Sequence, residues 1–326
     1  MGIWDIFKKK AKAQTNIETS QEKTETSGEF PQEKEASPPQ AVVPEKVTEN
    51  QQTVDDGPDV YERKKAARQI DNMDDLVEAF GSETDAEVRA EIVERIIEIA
   101  DAESFEAWMS TGVDISSRLK DYSNRTPLHL AVRYEKMPIV EYLIKAGFSL
   151  NATDDYKQTV LDVAAGKKDA NAESMIDFLV KAGAKPGHMV LYNVVAGIPG
   201  GWDPSAEEKI DETIARLDYL KRILGPFTPD LLGRALHTAA NNDQPAIVQW
   251  LLDEGADVEY IHDGCTPLWA AAQYTTPEAS RAAAARVLLE AGADPNVGTG
   301  RYTPMHFASL DNDVEFIKVL KEFGGH

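Results

Sequence analysis

Three tetrapeptides constrain this chain more than any other feature: Thr126-Pro127-Leu128-His129, Thr266-Pro267-Leu268-Trp269 and Thr303-Pro304-Met305-His306. Each opens a unit with the same order of parts. Small residues follow at Ala131, at Ala270 to Ala272 and at Ala308; a second apolar stretch such as Ile139-Val140-Glu141-Tyr142-Leu143 comes next, and then a glycine. The closing phrases are Lys145-Ala146-Gly147, Lys181-Ala182-Gly183, Asp253-Glu254-Gly255-Ala256-Asp257 and Glu290-Ala291-Gly292-Ala293-Asp294. Thr is a good helix N-cap and Pro a good first helical residue, so Thr-Pro starts a helix sharply. Leu turns inward, the alanines let two helices approach closely, and glycine takes the left-handed conformation that ends the second helix. The pattern predicts stacked helix pairs.

Spacing sets the register. Thr126 to Thr159 is 33 residues, with Val160-Leu161-Asp162-Val163-Ala164-Ala165 as a degenerate second opening. A weaker opening is Arg234-Ala235-Leu236-His237-Thr238-Ala239-Ala240, 32 residues before Thr266, and Thr266 to Thr303 is 37. The extra length falls in the connections between the two helices of a pair, at Gly166 to Glu173 and Gln273 to Arg281. Between Pro186 and Pro229 no tetrapeptide survives. Met189 to Val195 and Ala206 to Leu224 still read as an inner and a long outer helix, joined by a Gly-rich loop that carries Trp202.

These motifs resemble the ankyrin repeat family over about 200 residues. The resemblance implies an all-α solenoid of antiparallel helix pairs with β-hairpin-like loops. It implies a protein partner held on a concave surface of hairpin tips and inner helices. It also implies that His129, His237 and His306 are structural, each bonding backbone in a neighbouring hairpin; at Trp269 that bond must be lost or replaced.

The organisation follows from composition shifts. Residues 1–58 read as a disordered acidic tail, 59–118 as a helical N-terminal cap, and 119–326 as repeats at about 121–154, 155–186, a divergent 187–228, 229–263, 264–298 and 299–326. The tail is rich in Glu, Gln, Thr, Ser, Pro and Lys and cannot offset its ordering entropy. Its reach on flexible-linker scaling is about 40 Å. The first residues differ: Ile3, Trp4, Ile6 and Phe7 fall on one side of a helical wheel, and Asp5, Lys8, Lys9 and Lys12 on the other. That is a short basic amphipathic element, a docking contact for a partner groove or, as the alternative, for an anionic membrane surface through residues 1–12. An idle terminus fits it equally well.

Charge and cysteine usage exclude several classes. A formal charge of -22 argues against nucleic acid, whose phosphates are held by Lys and Arg, and fits a basic protein partner or a purely solubilising role. Cys265 is the sole cysteine, so no internal disulfide forms, and a cytoplasmic setting, peripheral at a membrane if the N-terminus anchors there, is the expectation. The recurrent histidines cannot share a metal ion: equivalent positions in stacked pairs lie about 10 Å apart at helix-packing distances, whereas zinc ligands sit about 2 Å from the ion. Gly197 to Gly201 lacks the Lys-Ser/Thr ending of a phosphate loop, and Cys265 has no identifiable base. No enzyme, cofactor or metal site is expected, and the chain reads as a monomer.

Binding residues are therefore sought among aromatics, His and Arg that the repeat leaves exposed. The candidates are Tyr122, Tyr156, Tyr260, His262 and Tyr302 in hairpins, Arg133, Tyr134 and Tyr274 after inner helices, and Trp202 in the divergent loop. The expected role is an intracellular adaptor or inhibitor; the alternative is a membrane-tethered scaffold.

Overall fold

The computed structural model describes residues 59–115, 123–169, 171–197, 206–273, 281–298 and 302–326. The described residues hold sixteen helices and divide into two units, the first ending at Thr111 and the second beginning at Gly112. The tail, its Ile3, Trp4, Ile6 and Phe7, and the candidates Tyr122, Trp202 and Tyr274 lie outside the described residues.

The first unit contains α1 (Val60–Arg68), α2 (Met73–Ser82), α3 (Ala86–Ile99) and α4 (Ala102–Ser110). All four begin on an Asp or Asn whose side chain accepts a first-turn backbone N–H. Val88, Ile92, Ile96 and Ile97 form the buried stripe of α3. Phe80 meets Trp108 edge-on at 5.4 Å. Glu91, itself buried, receives the Arg68 guanidinium through two bonds of 2.6 and 2.9 Å, which ties α1 to α3.

The second unit is built from six pairs. Its inner helices are α5 (Pro127–Arg133), α7 (Val160–Ala165), α9 (Val190–Ala196), α11 (Pro229–Asn241), α13 (Pro267–Ala272) and α15 (Pro304–Leu310). The outer helices are α6 (Met137–Lys145), α8 (Ala172–Lys181), α10 (Ala206–Leu224), α12 (Pro245–Asp253), α14 (Ala282–Glu290) and α16 (Val314–Glu322). Each inner helix packs on the next from α5 to α15, and α8, α10, α12, α14 and α16 do likewise. The divergent pair α9–α10 thus sits in both rows, although Met189 at its start offers no capping side chain.

Thr126, Thr159, Thr228 and Thr266 cap their helices with a hydroxyl that accepts a first-turn backbone N–H. Where the helix-to-helix connection is short, one left-handed residue makes the turn: Glu135, Asp243 and Asn312, at φ 58°, 49° and 55°. The N–H groups of Lys136, Gln244 and Asp313 then close back on the carbonyls of Ala131, Ala239 and Ala308 at 2.9, 3.0 and 2.9 Å. The two longer connections, after Ala165 and after Ala272, depart from that pattern at the places the spacing indicates. Fully buried Leu128, Leu143, Leu161, Ile176, Leu191, Leu236, Leu251, Leu288 and Phe316 form the core, each contributing about 1.5–3 kcal/mol by burial.

One inner helix is extended at its start. In the 229–263 unit, whose tetrapeptide position is Arg234, the helix begins at Pro229 under the Thr228 cap, while His237 keeps its place in the register. The physical cause is a second Thr-Pro start signal at Thr228-Pro229, which lengthens α11 beyond the other inner helices. The hairpin-like loops hold one isolated bridge, His262 with Cys265, among the described residues.

Candidate functional site

The face to consider is made by the inner helices and the loops that precede them. Along each inner helix, residues four apart share a face: His129 and Arg133, Asp162 and Gly166, Tyr192 and Ala196, His237 and Asn241, Trp269 and Gln273, His306 and Leu310. The first member of each pair sits at the fourth tetrapeptide position, or in the divergent pair at the matching third helical residue Tyr192, and in four units it bonds the next loop. His129 Nε2 donates to the Gln158 carbonyl at 3.0 Å, while its Nδ1 faces the Thr126 hydroxyl at 2.7 Å. His237 Nε2 donates to the Cys265 carbonyl at 2.6 Å. Trp269 replaces the imidazole with its indole N–H, which donates to the Tyr302 carbonyl at 3.2 Å. Asp162 reverses the polarity and accepts from the Gly187 N–H at 2.9 Å. These bonds hold the loops in place over the helix starts.

The exposed part of this face is aromatic and aliphatic. Tyr156 is 60% exposed, Tyr302 52% and Tyr192 38%, with Ile261 and Leu310 each at 68%. Arg133 is exposed at the end of α5, and Tyr134, half-buried, is its C-cap. Tyr260 is placed differently from Tyr156 and Tyr302. Its ring lies against Gly233, where an added Cβ would overlap it, and its hydroxyl donates to Asp230 at 2.6 Å. Asp230 also accepts from Arg234 at 2.9 Å and faces His188 Nδ1 at 3.4 Å. The Tyr260 and Arg234 bonds hold its carboxyl at about 2. Tyr260 therefore anchors its loop to the extended start of α11.

A cavity of about 410 Å³ opens on this face over α9, α11 and α13, with Tyr192, His237, Asn241, His262, Asp263 and Trp269 among its walls. His237 and His262 meet edge-on at 5.7 Å. Burial, foremost, and the neighbouring His262 hold the His237 imidazole below its ordinary range. Burial pushes the Cys265 thiol up, and the thiol donates weakly to the Asp263 carbonyl at 3.7 Å. A second cavity, of about 520 Å³, lies by the longer connection after α7 and is lined by Lys167, Lys168, Lys209, Arg216, Glu173 and Glu212, among others. There Lys168 donates to the Gly197 carbonyl, and Arg216 to that of Ala164 at 3.4 Å.

Of the residues that line the inner-face cavity, sequence reasoning singled out His262 as a binding candidate but not Tyr192, Asn241, Asp263 or Trp269. The four-residue spacing from the tetrapeptide was the available signal. Among the described residues no group of three or more His, Cys, Asp and Glu could hold a metal ion, and no helix is long and apolar enough to cross a membrane.

A family model described as ankyrin repeats in three copies matches residues 89–189 and 236–325, more than half of the chain. The chain belongs to the ankyrin-repeat family. Its ankyrin repeats are 34% identical over 191 residues to the nuclear factor NF-kappa-B p105 subunit of Gallus gallus, covering 53% of this chain and 17% of that protein. They are 30% identical over 172 residues to the human B-cell lymphoma 3 protein, covering 49% of this chain and 35% of that one. The Arabidopsis thaliana E3 ubiquitin-protein ligase KEG is 26% identical over 234 residues, 65% of this chain and 13% of the ligase. The chain thus spans well under two thirds of each relative. Among solved structures, the human ASB11 ankyrin repeat domain aligns at 18% identity and a TM-score of 0.35, covering 72% of this chain and 84% of that one. An ankyrin repeat domain from Acinetobacter baumannii AYE aligns at 19% and 0.36, covering 72% and 98%. Ankyrin repeats are protein–protein interaction modules.

Proposed function

We propose that this chain is a non-enzymatic, cytoplasmic adaptor or inhibitor that captures a protein on the face made by its inner ankyrin helices and loop tips. The observation that carries this reading is the exposure of Tyr156, Tyr192, Tyr302, Ile261 and Leu310 on that face. Tyrosine brings large contact area at low entropic cost, and clusters of such side chains are where binding energy concentrates. The formal charge of -22 favours a basic partner and fast, salt-sensitive association. Residues 1–58 act in this reading as a tether that carries Ile3, Trp4, Ile6 and Phe7 as a second contact, adding avidity through effective concentration.

Cross-linking mass spectrometry in the native cell identifies partners; the deciding comparison uses the variant Tyr156→Ala/Tyr302→Ala. Tyr260 stays unchanged, because its loss would also free Asp230 and disturb the loop. Loss of partners with an unchanged thermal midpoint supports the inner-face reading, and retention of every partner overturns it. A chain starting at Asp59 measures the tether. The membrane alternative rests on the basic amphipathic pattern of residues 1–12 and is read by flotation with anionic liposomes, which Trp4→Asp should abolish.

A further inference from the structure

The inner-face cavity over α9, α11 and α13 has a chemistry of its own. Asn241 and Gln273 set it at the C-terminal ends of α11 and α13, and Ala196 at that of α9. Helix C-termini carry partial negative charge on their last carbonyls, to which cations are drawn. This chain satisfies several such ends with its own cations: Lys168 donates to Gly197 O after α9, Arg216 to Ala164 O in α7, and Arg281 to Gln273 O after α13. At α11 the last carbonyls receive backbone N–H groups instead, from Asn242, Asp243 and Gln244.

The described residues that line this cavity include no lysine or arginine, and Arg281 stands at its rim on the Gln273 carbonyl. They include the carboxylate of Asp263, whose side chain is 91% exposed and faces His262 Nε2 at 3.8 Å. Arg234, farther up α11, pairs with Asp230 at 2.9 Å and also feels the Asp263 carboxylate at longer range. Tyr192, Trp269 and His262 supply ring surfaces, against which a guanidinium or an ammonium is attracted. At about 410 Å³ the space falls in the range of ligand sites that hold a whole side chain or small molecule. The larger cavity beside α10 is the contrasting case, with Lys167, Lys168, Lys209 and Arg216 in its lining.

We propose that this cavity is the partner's anchor point and receives an arginine or lysine side chain from an extended basic segment, with Asp263 as counter-charge and Tyr192 and Trp269 as its walls. The assignment rests on the inner-face reading above and makes it chemically specific. Asp263 adopts a left-handed φ of 50°, which Asn tolerates well, so Asp263→Asn removes the charge and keeps the loop. Asn241→Lys, on a half-buried helical position, puts a resident cation in the cavity.

The experiment is selection of random dodecapeptides displayed on phage against the full-length protein at pH 7.5 and moderate salt. Enriched peptides should share one Arg or Lys position, and a synthetic copy with citrulline or norleucine there should bind about tenfold more weakly or worse. Asp263→Asn and Asn241→Lys should each cause a loss of similar size, with thermal midpoints unchanged. Peptides without a shared cation that are still lost in Tyr156→Ala/Tyr302→Ala overturn the cation site while leaving the inner face as the binding surface. Cationic peptides indifferent to both cavity variants also overturn it. Failure to enrich any peptide over a target-free control overturns both readings.

Discussion

At the scale of single residues, Trp269 performs with an indole what His129 and His237 perform with an imidazole. All three donate from a ring nitrogen to the carbonyl of a following loop. Trp269→Phe keeps the ring and removes the donor, so it should cost about 1 kcal/mol in urea titration, and Trp269→His should recover part of that loss. His237 gives a pH signature. Burial keeps its folded-state pKa below the ordinary 6.5, so the unfolded chain binds that proton more readily. Its stabilising contribution is then complete above the unfolded value and is lost as pH falls from there through the lower folded-state value. The thermal midpoint of His237→Gln should fall less between pH 7 and 5 than that of the unaltered chain. The comparison cancels the opposite pull of Asp162 and Asp243, whose buried carboxyls are raised. Of these details, the sequence made legible that position 269 departs from the histidine pattern. What replaces the bond was not legible, because the acceptor stands 33 residues away and only the stack brings it near.

At the scale of elements, α11 is the instructive case. Its Thr228-Pro229 start was visible as a helix-start signal ahead of the tetrapeptide position at Arg234, and one helix carries both. The added first turn provides Asp230 and Gly233, and the Tyr260 ring rests on Gly233. In an open helix Gly→Ala gains up to about 1 kcal/mol; here the new methyl must displace that ring, and such overpacking costs about 1–3 kcal/mol. Gly233→Ala should therefore destabilise the chain, and the sign should reverse in a Tyr260→Ser background, a double-mutant cycle readable by denaturant midpoint. This also explains why Tyr260 could not be told from Tyr156 in the sequence. Both precede an inner helix, and only a glycine 27 residues upstream makes one of them a packing residue.

At the scale of the molecule, the second unit is a row in which each pair of helices covers the apolar side of its neighbour. Stability in such rows is close to a sum of unit and interface terms. Removing residues 302–326 uncovers the faces of α13 and α14 that pack on α15 and α16. The shortened chain should unfold at a lower denaturant midpoint with a smaller slope and should associate at micromolar concentration, as sedimentation would report. The row itself was legible because its grammar repeats. At α9–α10, which lack the tetrapeptide, that reading rested on apolar spacing alone, and the helices enter the row through buried Val190, Leu191, Leu217 and Leu220. The position of Cys265 has a practical use. The sole thiol of the chain stands half-buried at the rim of the inner-face cavity, with its ionisation suppressed by burial. Alkylation should run slowly at neutral pH, speed up in alkali, and slow again when a ligand fills the space beside it, so the native chain comes with its own footprinting reporter.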